Sequence, residues 1–362
     1  MKEKFYSLDN ILSKNCTYNI IFGERSNGKT YSVLLYGLKE WIENGGQLAI
    51  VRRWKEDITG RRASEIYSAL NTNNEIEKLS KGLYTGITYF GGKFFACTYD
   101  KNNKPIFTDN DCIAYVFSLS DMEHNKSISY PKITNILFDE FMTKYVYLND
   151  EFIAFMNTVS TIVRHRINVK IFMCGNTVNK YCPYFSEMGL SHILEQKQGT
   201  IDVYTYGNSD LKVAVEYCAN TKSNKKNNFY FAFNNPKLHM ITGGSWELDI
   251  YPHLPIKYKD KDIKFTYFID FNNRVFQCEI INSNNEWFTY IHEKTTPIKD
   301  LNNDLIYTLD INYKINYNSN IYKPMSKLQE KILWFFKYNK VFYQNNDVGD
   351  AINNYLKICK GT

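Results

Sequence analysis

The chain of 362 residues, 44% of them hydrophobic, can bury one large core or two smaller ones, which excludes a disordered chain and favours two domains. A formal net charge of +6 is too small for the total to argue nucleic-acid binding, and no stretch approaches the roughly eighteen apolar residues of a membrane span, so no membrane partner is expected. The N-terminus, with Lys2, Glu3, Lys4 and Asp9, lacks a signal-peptide core, and the eight cysteines show no CxxC pair or ligand spacing; reduced thiols in a cytoplasm are expected.

In chain order, Thr17 to Phe22 reads as a strand, and Tyr31, Leu34, Leu35, Leu38 and Trp41 recur at helical spacing. Between them, Gly23-Glu24-Arg25-Ser26-Asn27-Gly28-Lys29-Thr30 completes the pattern GxxxxGK[ST]. Glycines allow such a loop to curl so that its N–H groups face inward, and the helix start adds partial positive charge. Lys29 is placed for the terminal phosphates and Thr30 for Mg²⁺. Gly23, Arg25, Ser26, Asn27, Gly28, Lys29, Thr30 and Tyr31 are the candidate nucleotide contacts.

The helix ends near Asn44-Gly45-Gly46, and Gln47 to Val51 reads as a second strand that delivers Arg52 and Arg53. Only eight arginines occur, seven of them between Arg25 and Arg166, in the groups Arg52-Arg53, Arg61-Arg62 and Arg164/Arg166. Because the guanidinium fork suits phosphate, such grouping points to anionic targets, and Arg53 is assigned to the nucleotide. Residues 61 to 71 look helical; Gly82 to Asp100, with Gly91-Gly92 in its middle, reads as a β-hairpin; Cys112 to Leu119 reads as a strand.

After a polar loop over Ser120 to Pro131, the β-prone run Thr134 to Phe138 ends in Asp139-Glu140, the pattern of a Walker B strand. Asp139 is placed to hold Mg²⁺ with Thr30, and Glu140 to orient and deprotonate the attacking water. A glutamate beside the metal-binding aspartate favours hydrolysis over phosphoryl transfer to a small molecule. Glu151 to Val163 reads as a helix ending in Arg164 and Arg166, and Val169 to Cys174 as a strand with Asn176 at its tip, placed as a γ-phosphate sensor. Strands alternating with helices imply a mostly parallel α/β sheet. Asn220 to Asn228 contains no apolar residue and reads as a linker. Phe229–Phe233, Lys264–Phe271, Arg274–Ile281 and Trp287–His292 read as strands with Asn-rich turns, followed by a helix capped by Ser326 with Gln329 as its capping-box partner, and another over about Val348 to Ile358.

These residues, together with Val51-Arg52-Arg53-Trp54-Lys55, Lys126-Ser127-Ile128-Ser129-Tyr130-Pro131, Arg164-His165-Arg166 and Asn176 through Cys182-Pro183-Tyr184-Phe185, resemble the φ29-type phage genome-packaging ATPases in order and spacing over roughly residues 1 to 215. The resemblance implies a P-loop ATPase of the ASCE class related to FtsK/HerA translocases over 1–218. A linker at 219–228 would follow, then a smaller α+β domain over 229–362, RNase H/nuclease-like and inactive. It also implies a homopentameric ring that pumps double-stranded DNA into a procapsid through the portal at the expense of ATP, with a structural RNA as a possible further partner. The location implied is the infected host's cytoplasm, docked transiently on the portal and absent from the mature virion. Lys126 and Arg164 would act on a neighbouring subunit's nucleotide.

For the C-terminal domain, Asp249, Asp270 and Glu279 lie on or near expected strands without forming a convincing metal-binding set. Lysines 257, 259, 261 and 264, interleaved with Tyr258 and Phe265, suit contact with a DNA backbone, or equally a solvated strand edge. Two other readings stay open: a helicase-type or conjugation-type ASCE motor, and a nucleotide-binding structural protein without turnover.

Overall fold

The computed structural model describes residues 6–121, 128–143, 147–148, 150–177, 182–207, 209–219, 251–254 and 256–361. The chain divides into two compact units, Met1–Glu247 and Leu248–Thr362. The expected linker, beyond Ala219, and the expected strand Phe229–Phe233 lie outside the described residues.

The N-terminal unit is built on one ten-stranded sheet. Its strands are β1 (Tyr18–Gly23), β2 (Gln47–Arg52), β3 (Gly86–Phe90), β4 (Lys93–Tyr99), β5 (Pro105–Ile106), β6 (Cys112–Ser118), β7 (Ile133–Asp139), β8 (Lys170–Asn176), β9 (Thr200–Thr205) and β10 (Lys212–Tyr217). They follow the spatial order β3-β4-β6-β2-β7-β8-β1-β10-β9, with β5 on β4. The stretch from β6 to β10 is parallel, and β3, β4, β5 and β9 add antiparallel margins. The mostly parallel α/β sheet expected from the sequence is therefore present. Placing β8 between β1 and β7 gives the ASCE arrangement, in which a strand separates the phosphate loop from the Walker B carboxylates.

Because both faces of a parallel sheet are covered, its central strands are buried along their whole length. All six residues of β1 are buried: Ile20 and Phe22 enter the cluster that contains Phe138, Phe155 and Tyr184, and Ile21 enters the opposite one with Val33, Leu34 and Leu38. The helix Lys29–Asn44 supplies the second face and ends at Gly45, whose left-handed φ of 70° lets its own N–H reach the Trp41 carbonyl and the Gly46 N–H the Glu40 carbonyl. The helix Glu151–Val163 supplies the first, through Phe155, Val159 and Ile162.

The C-terminal unit carries a six-stranded sheet in the order β15-β14-β11-β12-β13-β16, from β11 (Ile263–Phe271), β12 (Arg274–Ser283), β13 (Glu286–Glu293), β14 (Ile306–Thr308), β15 (Tyr317–Asn318) and β16 (Val341–Tyr343). β11, β12 and β13 form an antiparallel meander whose tight turns are Asn272-Asn273 and Asn284-Asn285, all four at positive φ, a conformation that asparagine tolerates better than other side chains. The helix Lys327–Lys337 is capped by Ser326, whose hydroxyl accepts from the Gln329 N–H. The expected capping box is incomplete, because the Gln329 carboxamide takes the Met325 N–H instead, at 2.6 Å. The helix Asn346–Gly361 closes the unit. Among the described residues no helix is long and apolar enough to cross a membrane.

Candidate nucleotide site

The site is assembled at the C-terminal ends of β1, β8 and β7, where an open parallel sheet presents ligand-binding residues. Gly23 pairs in register with Asn176, and Asp139 with Cys174, so the phosphate loop, the expected sensor and the Walker B carboxylates share one edge. The loop needs its glycines. Gly28 has φ 92°, and at Gly23, with φ 150°, an added Cβ would stand 3.0 Å from the Cys218 Cβ.

Lys29 is buried, and its ammonium donates to the Glu24 carbonyl at 2.6 Å, to Asn27 Oδ1 at 3.1 Å and to Asn176 Oδ1 at 3.3 Å, which engages all three of its protons. Burial lowers its pKa from the ordinary lysine value, opposed by the carboxylates of Asp139 and Glu24. Asn176, at the end of β8, is thus one hydrogen bond from Lys29.

The Thr30 hydroxyl donates to Asp139 Oδ1 at 2.7 Å, and the Glu140 N–H donates to the same oxygen at 3.1 Å. Glu140 holds a left-handed φ of 57°, which turns the chain sharply after the strand and leaves its carboxylate 64% exposed beside a buried Asp139. Arg52 joins the two acids: Nη2 lies 2.6 Å from Asp139 Oδ2 and Nη1 2.8 Å from Glu140 Oε2, while its Nε is buried with no hydrogen-bond partner among the described residues.

Arg53, assigned to the nucleotide from sequence, is buried against Glu151 in the structure. Successive strand residues face opposite sides, and Arg53 turns into the interior. It forms a two-pronged pair with buried Glu151, at 2.7 Å (Nε–Oε2) and 2.8 Å (Nη2–Oε1), and donates to the Phe141 carbonyl at 2.7 Å. The Tyr184 hydroxyl and the Leu148 N–H complete the Glu151 carboxylate. Arg52, to which sequence reasoning assigned no role at the site, is the arginine paired with Asp139 and Glu140. Alternation implies that only one of the two arginines faces the site, but not which.

Tyr31 is placed away from the loop: its hydroxyl donates to Glu75 Oε1 at 3.0 Å and accepts from Asn73 Nδ2 at 3.1 Å. Arg25 and Ser26 are exposed on the loop, and Asn27 is buried within it. Of the two arginines after the helix Glu151–Val163, Arg166 is spent on the backbone. It donates to the carbonyls of Tyr130, Pro131, Ile133, Ile162 and Val163. Arg164 is exposed, has φ 52° and donates to the Ile128 carbonyl at 3.0 Å. Lys126 lies outside the described residues.

The residues present fit a Mg²⁺-bound nucleoside triphosphate. Thr30 and Asp139 offer adjoining oxygens of the kind a hard cation takes, and the guanidinium already on Asp139 marks the spot as cation-attracting. The glycine loop opens a 16-residue helix whose N-terminus favours anions.

The family model for the podovirus DNA encapsidation protein (Gp16) matches residues 1–349 of this chain. The chain belongs to that family. The chain is a DNA-packaging protein, and it is 23% identical over 333 residues to the "DNA packaging protein" of Bacillus phage PZA, covering 88% of this chain and 89% of that one. To its counterpart in Bacillus phage phi29 it is 22% identical over 329 residues, with the same coverage. Two solved structures share its fold. One is of "the bacteriophage Phi-29 viral genome packaging motor assembly" (TM-score 0.57, 21% identity, 97% of this chain and 96% of that chain). The other is of "the Phi-28 gp11 DNA packaging Motor" (TM-score 0.56, 17% identity, 99% of both chains).

In the C-terminal unit, the Glu279 carboxylate is occupied by hydrogen bonds from the Tyr258 hydroxyl, Gln277 Nε2 at 2.7 Å and His292 Nε2 at 3.4 Å. Among the described residues no group of three or more His, Cys, Asp or Glu side chains is placed to hold a metal; Asp249 lies outside them. Lysines 257, 259, 261 and 264 are exposed, but Tyr258 turns inward to Glu279.

Proposed function

We propose that this chain hydrolyses ATP to drive double-stranded DNA through a portal into a procapsid, as one subunit of a ring. The observation that carries the catalytic part is the convergence of Lys29, Thr30, Arg52, Asp139 and Glu140 at the ends of adjoining parallel strands. The DNA, portal and ring partners are supported by membership of the family and likeness to the φ29-type motors; the fivefold symmetry, a structural RNA and a place on the procapsid in the host cytoplasm are further parts of the proposal.

In this reading Lys29 exchanges the Asn27 and Asn176 oxygens for the terminal phosphates, to which its buried ammonium is attracted more strongly than in water. Thr30 and Asp139 would hold Mg²⁺, which when bound neutralises phosphate charge. Glu140 orients the attacking water and accepts its proton, a role that requires the Arg52 pair to loosen, because Arg52 occupies Glu140 Oε2 at 2.8 Å. Arg164, exposed at the helix end, reaches a neighbouring subunit's nucleotide and offsets charge in the transition state.

The test is phosphate release by the full chain with and without duplex DNA. Turnover that rises with DNA supports the motor. Turnover indifferent to DNA removes translocation from the reading, and binding without turnover leaves a structural nucleotide protein.

A further inference from the structure

The N-terminal segment makes contacts that the nucleotide site as described does not use. The Tyr6 N–H donates to the Asn27 carbonyl at 3.1 Å, inside the phosphate loop, and the Tyr6 carbonyl accepts from the Ser32 hydroxyl in the first turn of the following helix. The Tyr6 phenol crosses behind the loop and donates to Glu216 Oε2 at 2.6 Å. Glu216 is 9% exposed on β10, in register with Ile21 of β1, two residues before Gly23 opens the loop. Burial pushes the Glu216 carboxyl up from its ordinary value, and the Tyr6 hydroxyl opposes this by stabilising the charged form.

Asn27 connects this strap to the chemistry. Its backbone is pinned by Tyr6, and its side-chain oxygen accepts from the Lys29 ammonium at 3.1 Å and from the Lys29 N–H at 3.3 Å. The path Glu216–Tyr6–Asn27–Lys29 therefore runs from the penultimate strand of the sheet order to the phosphate-binding lysine through hydrogen bonds alone. A loop that must present several N–H groups to one ligand gains affinity from being held in its binding shape beforehand.

We propose that the Tyr6–Glu216 hydrogen bond is a latch that positions the phosphate loop for nucleotide, with Tyr6 and Glu216 as positioning residues that act through the Asn27 backbone. The proposal rests on the nucleotide reading above. Loosening the latch lets the Asn27 backbone and the loop around Lys29 sample other shapes, so the loss falls on ground-state binding and much less on the chemical step, in which neither residue touches the reacting atoms.

The experiment compares the unmutated full chain with Tyr6→Phe, Glu216→Gln and Glu216→Leu, measuring Kd for a fluorescent non-hydrolysable ATP analogue, KM and kcat for ATP, and thermal unfolding. Tyr6→Phe deletes one hydroxyl and keeps the ring and both backbone bonds. The expected result is Kd and KM raised about fivefold or more in Tyr6→Phe and Glu216→Leu, with kcat within about twofold, as suits loss of a hydrogen bond to a charged group. Glu216→Gln, which still accepts from the phenol, should stay closer to the unmutated chain. Unchanged Kd in Tyr6→Phe overturns the latch, as does equal weakening in Glu216→Gln and Glu216→Leu. A lowered unfolding temperature without a change in Kd assigns Tyr6 to stability alone and also overturns it. If the unmutated chain itself binds no analogue, the nucleotide reading fails and the latch fails with it.

Discussion

The Arg52 guanidinium lies 2.6 Å from the Asp139 carboxylate, in the place where the site would hold a cation. Arg52 thus competes for the Asp139 charge while also holding Glu140. Arg52→Ala is expected to tighten Mg²⁺ binding by up to about fivefold, the scale of a partly exposed ion pair. Calorimetric titration of Mg²⁺ into the chain saturated with a non-hydrolysable ATP analogue checks this. Weaker Mg²⁺ binding would show that Arg52 supports the cation site.

Glu140→Gln removes the group that accepts the proton and leaves Lys29, Thr30 and Asp139 in place. Turnover should fall by about 10²-fold or more, the range for loss of a general base, while the Kd for an ATP analogue changes little. Phosphate release and analogue binding, measured side by side, separate the two effects. Persistent turnover would take Glu140 out of the reaction.

Arg53→Ala should act on folding. It leaves Glu151, 3% exposed, as a buried charge without its guanidinium, a change that costs about 3–5 kcal/mol in comparable pairs. Chemical denaturation monitored by the fluorescence of the full chain reads this as an early transition. A midpoint equal to the unmutated chain's would return Arg53 to the candidates for nucleotide contact.

Arg164→Ala should keep its unfolding temperature, since Arg164 is exposed and, among the described residues, its side chain bonds to the Ile128 carbonyl, yet lose turnover if the residue completes a neighbour's site. Mixing Arg164→Ala with Glu140→Gln chains should then restore part of the activity that each lacks alone. Additive inactivity in the mixture would argue that Arg164 does not act across subunits.

The His292–Glu279 pair sets a pH window for the C-terminal unit. The hydrogen bond to Glu279 raises the His292 pKa above 6.5 despite burial, so its contribution is complete below about pH 6.5 and is lost as pH rises through the raised value. Burial would raise the Glu279 carboxyl, but hydrogen bonds from His292, Tyr258 and Gln277 outweigh it and hold it below 4.5; that contribution is complete above about pH 4.5 and is lost as pH falls through the lowered value. Stability should be greatest between these limits. In a thermal-unfolding series against pH, His292→Gln should flatten the alkaline decline; an unaltered slope would exclude the pair.

Much of the fold was legible because its signals are local. β1, β2, β7 and β8 are apolar runs with distinct ends, the Gly91-Gly92 hairpin has both glycines at positive φ, and the helix Glu151–Val163 has the bounds its periodicity gave. β9 and β10 went unread, and so did β14, β15 and β16, three of them only two or three residues long, because such strands are defined by the neighbour they pair with.

By itself the sequence determined the chemistry of the nucleotide site: Gly23 to Thr30 and Asp139-Glu140 are each contiguous, and their roles follow from residue type and from standing at a strand end. Only the tertiary structure decided which arginine meets them, why Arg166 is withdrawn into backbone carbonyls while Arg164 is exposed, and that Tyr6 lies behind the loop against Glu216, 210 residues away. The reason is geometric. A side chain's type is carried in the chain, but the face it turns to and the strand it meets are fixed only when the sheet closes and each buried charge finds its partner.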